Sequence, residues 1–171
     1  ILDSLSGLSG ALAPGGMDGA ARAIMTTDTF AKGATAQVEI GGRLVRIAGI
    51  AKGSGMVAPD MGTMLVYIFT DARIGQEDLQ TLLRTLTDQT FNCITVDSDT
   101  STSDTLLCAA TGASGVDVTN SAGFTKALHD VMLDLAQQVV RDGEGASTFV
   151  EVQVSGAASD AEAKQIGLSI A

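Results

Sequence analysis

Residues 51–71 read AKGSGMVAPDMGTMLVYIFTD. The first half, 52–62, is Gly-rich, carries a Pro-Asp turn and has neither a helical nor a strand period. From Thr63 to Phe69 an unbroken apolar run of strand length follows, which predicts a buried strand. One hydroxyl, that of Thr63, therefore stands where a loop becomes a core strand. Gly62 before it has no side chain, which leaves its carbonyl open to a neighbouring nucleophile. A threonine that cuts the bond before it becomes an N-terminal nucleophile, with its own α-amine as base. The plainer reading is a Gly-Thr pair that only begins a strand. Taken alone, this stretch favours the plainer reading, and the rest of the chain has to decide.

The surroundings are those of a globular protein. At 171 residues, 45% of them hydrophobic, the chain can bury a real core in one domain. A net charge of −10 with only 10 Lys and Arg and no basic run argues against nucleic-acid or anionic-membrane partners. No apolar run approaches the ~18 residues of a membrane span. Cys93 and Cys108 lie in apolar segments without metal-ligand spacing, and read as reduced, buried thiols of a cytosolic protein. The chain opens at Ile1, with no signal peptide's charged start and apolar centre, and reads as a piece of a longer polypeptide.

Around the opening stretch the elements fall into place in order. Residues 1–16 are Gly-, Ser- and Ala-rich and read as a helix end and a loop. Ala20, Ala21, Ala23 and Ile24 suit a short packed helix over 18–25. It runs into Thr26-Thr27-Asp28-Thr29, poor for helix continuation. That cluster is either a plain helix end or a functional group of hydroxyls. Residues 35–49 read as a hairpin turning at Gly41-Gly42. Lys52-Gly-Ser-Gly lacks the order of a phosphate-binding loop. Leu79, Leu82, Leu83 and Leu86 share one face of a helix over 76–90, and 91–96 reads as a short strand.

The acidic loop 97–104, DSDTSTSD, lacks the Gly and terminal Glu of a calcium loop, so no metal is expected. It is a solvated loop, or one that shapes a site through side-chain hydrogen bonds. Leu106 to Ala110 is helical or extended into the core. Ser121 can cap a long helix to about Arg141, on which Phe124, Leu128, Val131, Met132, Leu135 and Val139 follow the helical period. His129, the only histidine, reads as an edge residue of that helix, so a Ser-His-Asp triad has little support. Gly143 and Gly145 end the helix, and Glu144 between them reads on its own as a turn acid. Val150, Val152 and Val154 alternate as in a half-buried strand over 149–154. Ser159 and Glu162 form a capping box that opens a last helix over 160–170.

Four blocks together point further: AIMTTDTF at 23–30, GIAKGSGMVAPDMGTML at 49–65, TFNCITVDSDTSTSD at 90–104 and RDGEGASTFVEV at 141–152. In order and spacing they resemble the ornithine acetyltransferase, or glutamate N-acetyltransferase, family over essentially the whole chain. The resemblance implies an α/β fold of layered helices over mixed β-sheets, akin to self-processing aminopeptidases. It implies self-cleavage between Gly62 and Thr63. Residues 1–62 would then be the C-terminal part of an α chain and 63–171 the N-terminal part of a β chain. Thr63 would carry the acetyl group in a ping-pong transfer from N-acetylornithine to glutamate in arginine biosynthesis. Family substrate-binding positions fall on Thr26, Lys52, Thr63 and Glu144. No cofactor is implied, and use of acetyl-CoA as co-substrate stays open. A cytoplasmic heterotetramer of two α and two β chains is expected.

Four positions depart from the family pattern: Asp60 for the usual Asn, Gly62 for Ala, Ser98 for Gly and Ser103 for Asn. The resemblance also puts the Thr-Gly oxyanion pair upstream of the sequence, and an Asn-containing substrate element beyond Ala171. Two rivals remain: a self-processing N-terminal-nucleophile hydrolase of the same fold, and a binding domain that kept the fold without the chemistry.

Overall fold

The computed structural model describes residues 2–13, 15–55, 64–96 and 103–171. Its centre is a four-stranded sheet in the order β1 (Lys32–Ile40), β2 (Arg43–Lys52), β3 (Leu65–Thr70) and β4 (Thr105–Ala110). The first three strands run antiparallel, and β4 lies parallel to β3. The hairpin turns at Gly41 and Gly42, with φ of 59° and 75°. A two-residue turn whose twist matches the strands needs positive φ at both positions, which glycine accepts without strain. That turn sets the register from Ile40 opposite Arg43 to Lys32 opposite Ala51. Lys52, the last residue of β2, faces Leu65, the first of β3, so the chain leaves and rejoins the sheet at one end.

Helix α1 (Leu2–Gly10) and the short α2 (Met17–Ala23) precede the sheet, and α3 (Gln76–Gln89) carries the crossover from β3 to β4. Helix α4 (Ala122–Arg141) lies across β1 and β2. The Ser121 hydroxyl caps it by accepting the Phe124 N–H at 3.3 Å. Its apolar stripe, Phe124, Leu128, Val131, Met132 and Leu135, is fully buried against Val45, Ile47, Val66 and Ile68. Each such side chain contributes about 1.5–3 kcal/mol of burial, so α4 and the sheet supply the core. In α5 (Asp160–Ile170) Ser159 caps the helix by accepting the Glu162 N–H, while the Glu162 side chain accepts the N–H of Ala158, one residue before the cap and not that of Ser159 as a capping box would have it.

Several expectations change. Residues 91–96 are not a strand: Phe91–Cys93 is a 3₁₀ turn. The Thr90 hydroxyl donates to the Leu86 carbonyl, Cys93 N–H returns to the Thr90 carbonyl, and Phe91 drops into the core. These bonds wind the chain where β-branched composition alone suggested extension. Residues 149–154 are irregular, because no described strand lies beside them to pair with. Val152 and Val154 are still half-buried, lining a groove of about 470 Å³ with α4 and α5. Strand β3 is buried on one face only. Val66 and Ile68 are inaccessible, whereas Phe69 is 42% exposed on the face that α4 does not cover. Cys93 is exposed rather than buried, while Cys108 is half-buried and both are free. The segment 106–110, open between helix and strand, is strand β4.

Candidate active site

Thr63, Gly62 and Asp60 lie outside the described residues, as does Ser98. The remaining candidates, Thr26, Lys52 and Glu144, come together at the end of the sheet where the chain leaves β2.

The geometry starts beneath them. After α2 the bend 26–29 folds so that Asp28 receives the Thr26 N–H at 3.1 Å and the Gly53 N–H at 2.7 Å. Lys32, the first residue of β1, is 0% exposed. Its ammonium donates to Asp28 at 2.6 Å and to Asp142 at 2.5 Å, and lies 4.7 Å from the Phe30 ring centroid. Asp142 follows the last turn of α4 and also receives the Thr29 N–H and hydroxyl. An acid at a helix C-terminus meets the negative end of the dipole and needs a cation, which Lys32 supplies. Burial alone would raise the carboxyl of Asp28. The Gly53 N–H, the Lys32 ammonium and the Thr26 N–H outweigh it and hold the group below its ordinary 3.8. For Asp142 burial likewise pushes upward, and Lys32 and Thr29 bring it below 3.8.

On this base sits Lys52, 5% exposed, with its ammonium on the Thr26 hydroxyl at 3.1 Å. Among the described residues no carboxylate lies within 4.0 Å of it. The Thr27 and Ser54 hydroxyls bond at 2.6 Å, and the Ser54 carbonyl accepts the Glu144 N–H at 2.5 Å. Glu144 is thus fixed by its backbone while its side chain stays exposed. Gly143 just before it is closely packed: a Cβ there would lie 2.9 Å from Val96 Cγ1 and 3.1 Å from the Val140 carbonyl oxygen. The hydroxyls of the polar run 26–29 are tied in place, Thr26 on Lys52, Thr27 on Ser54 and Thr29 on Asp142. The arrangement presents a buried cation and an exposed acid on one anchored frame, suited to a small ligand carrying both charges.

The ArgJ family model matches residues 1–171. The chain belongs to the ArgJ family. It is 68% identical over 171 residues to the arginine biosynthesis bifunctional protein ArgJ of Ruegeria pomeroyi, covering 100% of this chain and 42% of that protein. To the protein of the same name from Nitrobacter winogradskyi it is 56% identical over 176 residues, covering 98% and 42%. The crystal structure of the arginine biosynthesis bifunctional protein ArgJ of Bacillus halodurans superposes with a TM-score of 0.59 at 44% identity, over 61% of this chain and 51% of that one. The α/β fold is thus that of a solved ArgJ structure. The chain spans about 42% of the length of the curated ArgJ relatives it matches.

Sequence reading did not single out Asp28, Lys32, Asp142 and Ser54 as site residues of this ArgJ chain. Asp28 and Lys32 sit four apart, a spacing that marks an ion pair only on a helix. Asp142 is 110 positions from Lys32. A lysine placed at the start of a strand that then packs inward was the one available signal. His129 is 30% exposed beside Asp130, an edge residue as expected. Among the described residues no helix is long and apolar enough to cross a membrane.

Proposed function

We propose that this chain carries the central part of a cytoplasmic glutamate N-acetyltransferase of arginine biosynthesis. In this reading it moves an acetyl group from N-acetylornithine to glutamate. Membership of a family whose curated relatives are named arginine biosynthesis bifunctional proteins supports the pathway. The observation that carries the site is Lys52: a buried ammonium held by a hydroxyl, with no acid beside it among the described residues. Such a group suits the carboxylate of an amino-acid substrate, and the exposed Glu144 suits the ammonium at the other end. Leu65, two positions after Thr63 in sequence, pairs with Lys52 in the sheet register.

The chemistry proposed runs in two steps. Hydrolysis between Gly62 and Thr63, in which water leaves a carboxylate on Gly62, separates residues 1–62, in an α chain, from 63–171, in a β chain, and frees the α-amine of Thr63. That amine, with an ordinary pKa of about 8, takes the Thr63 hydroxyl proton as the oxygen attacks the acetyl carbonyl of N-acetylornithine. The C–N bond breaks, the proton passes to the departing nitrogen, and ornithine leaves an acetyl ester on Thr63. The unprotonated amine of glutamate then attacks that ester, its proton passes through the Thr63 α-amine to the Thr63 oxygen as the C–O bond breaks, and N-acetylglutamate leaves. Thr26 holds the Lys52 ammonium in place. No metal or other cofactor enters, and an α2β2 assembly completes the proposal.

The test is a single half-reaction. Cleaved full-length protein mixed with N-acetylornithine and no glutamate is expected to gain one acetyl group on the chain that begins at Thr63. Ornithine should appear in a burst equal to the active sites, and glutamate should discharge the acetyl group. Steady release of acetate without an acceptor would point to a hydrolase. Absence of both signals would leave a binding domain. An acetyl group on any residue other than Thr63 would overturn the mechanism.

A further inference from the structure

The ion cluster under Lys52 has no evident reason to exist for stability alone. Replacing buried ion pairs by apolar side chains of similar volume is often neutral or stabilising. Its placement suggests another use. One carboxylate oxygen of Asp28 accepts the N–H of Gly53, the neighbour of Lys52, and the other accepts the N–H of Thr26, whose hydroxyl holds Lys52. Lys32 joins that carboxylate to Asp142, two residues before Glu144. The Glu144 N–H then returns to the Ser54 carbonyl, which closes the ring beside Gly53.

We propose that Asp28, Lys32 and Asp142 are positioning residues that hold Lys52 and Glu144 at a fixed separation for the substrate. The inference rests on the reading of Lys52 and Glu144 as substrate-binding residues. If the chain is cut after Gly62, Asp28 and Lys32 belong to one product and Asp142 to the other. The cluster then sets how the two products' halves of the site face each other.

The test uses the full-length protein and Asp142→Asn, which keeps shape and removes one of the two charges that answer Lys32. Misplacing a binding group by about 1 Å can lower rates on the order of a hundredfold. The KM for N-acetylornithine is expected to rise about tenfold or more, with kcat within about threefold of wild type. Val131→Ala, a core truncation in α4, serves as the control and should lower the unfolding midpoint without moving KM. Hydrogen exchange gives a readout independent of turnover. In Asp142→Asn the Gly53 and Glu144 amides should exchange faster relative to the β1–β2 ladder, whereas Val131→Ala should shift all amides together. If Asp142→Asn does not assemble, Thr29→Ala loosens the same carboxylate without burying a charge and should give the same pattern more weakly. Equal KM in Asp142→Asn and wild type, or amide changes no larger than the control's, would overturn the positioning role. Wild-type protein without acetyl transfer would instead refute the proposed reaction, and the exchange data would still decide positioning.

Discussion

Lys32→Met is the sharpest perturbation the structure offers. Methionine keeps much of the aliphatic stem and removes the ammonium, leaving two carboxylates with nothing between them. Their side chains are 0% and 2% exposed. Removing one member of a buried ion cluster typically destabilises by about 3–5 kcal/mol, because the rest is left buried and uncompensated. Against a total of about 5–15 kcal/mol for a domain, that is a large fraction. At about 2–4 °C per kcal/mol for a chain of this size, the midpoint should fall by roughly 6–20 °C at neutral pH. The pH dependence fixes the cause. In wild type the folded carboxyls of Asp28 and Asp142 lie below 3.8, so as pH falls the unfolded chain takes up protons first. Their stabilisation is complete above the unfolded value and is lost as pH drops through the folded ones. In Lys32→Met, burial and mutual repulsion push the other way, so protonation relieves the folded state. The gap between the two proteins should narrow as the solution is acidified toward pH about 4. Thermal unfolding followed by circular dichroism over that range is the assay. A drop of less than about 2 °C at neutral pH, or a gap that does not depend on pH, would refute the reasoning.

Other expectations are quicker to check. Gly143→Ala should destabilise by about 1–3 kcal/mol, since the added Cβ meets Val96 and the Val140 carbonyl, and should weaken N-acetylornithine binding by displacing Glu144; unchanged denaturant midpoint and KM would exclude this. Lys52→Met should weaken substrate binding by on the order of 2–5 kcal/mol, measured as KM or by calorimetry, because it takes the partner from a desolvated carboxylate. Glu144→Gln should slow the donor half-reaction with N-acetylornithine and leave the discharge by glutamate unchanged or faster, read by single-turnover acetylation and deacetylation. Cys93 should be alkylated well before Cys108, whose thiol burial pushes up to about 11; mass mapping of a brief iodoacetamide pulse that found Cys108 labelled first would contradict the fold around β4.

Much of the fold was legible because its signals are local and unambiguous. Gly41-Gly42 dictates a two-residue turn, the stripe from Phe124 to Val139 dictates a helix, and Ser121 and Ser159 mark where helices start. Residues 91–96 and 149–154 misled because β-branched and aromatic composition reports fit to a pleated surface, and a strand exists only where a neighbour offers backbone partners. At 91 the Thr90 hydroxyl decided the matter, a bond invisible in a hydropathy pattern. The site divides in the same way. Thr26, Lys52 and Glu144 were reachable through family resemblance, and the described structure joins them. Asp28, Lys32 and Asp142 were not, since their partnership depends on the hairpin and α4 meeting across the whole chain.

The charges of the site also say which substrate it should fit better. Among the described residues Asp28 and Asp142 answer Lys32 and Lys52 in number, so that part of the frame is close to neutral before Glu144 is added. With Glu144 the open part of the site offers one cation and one anion. On the proposed reading N-acetylornithine matches that pattern: its α-nitrogen is an uncharged amide, leaving one carboxylate for Lys52 and one side-chain ammonium for Glu144. Glutamate does not match, because its side-chain carboxylate would face Glu144 and like charges repel. On the same reading acetyl transfer turns the amide into a charged amine, a second cation for which the frame offers no second acid among the described residues, and this favours release of ornithine. On that reading the acceptor is held through its α-carboxylate on Lys52. Loss of the Glu144 charge then removes attraction for the donor and repulsion for the acceptor together, and the two half-reactions should move in opposite directions.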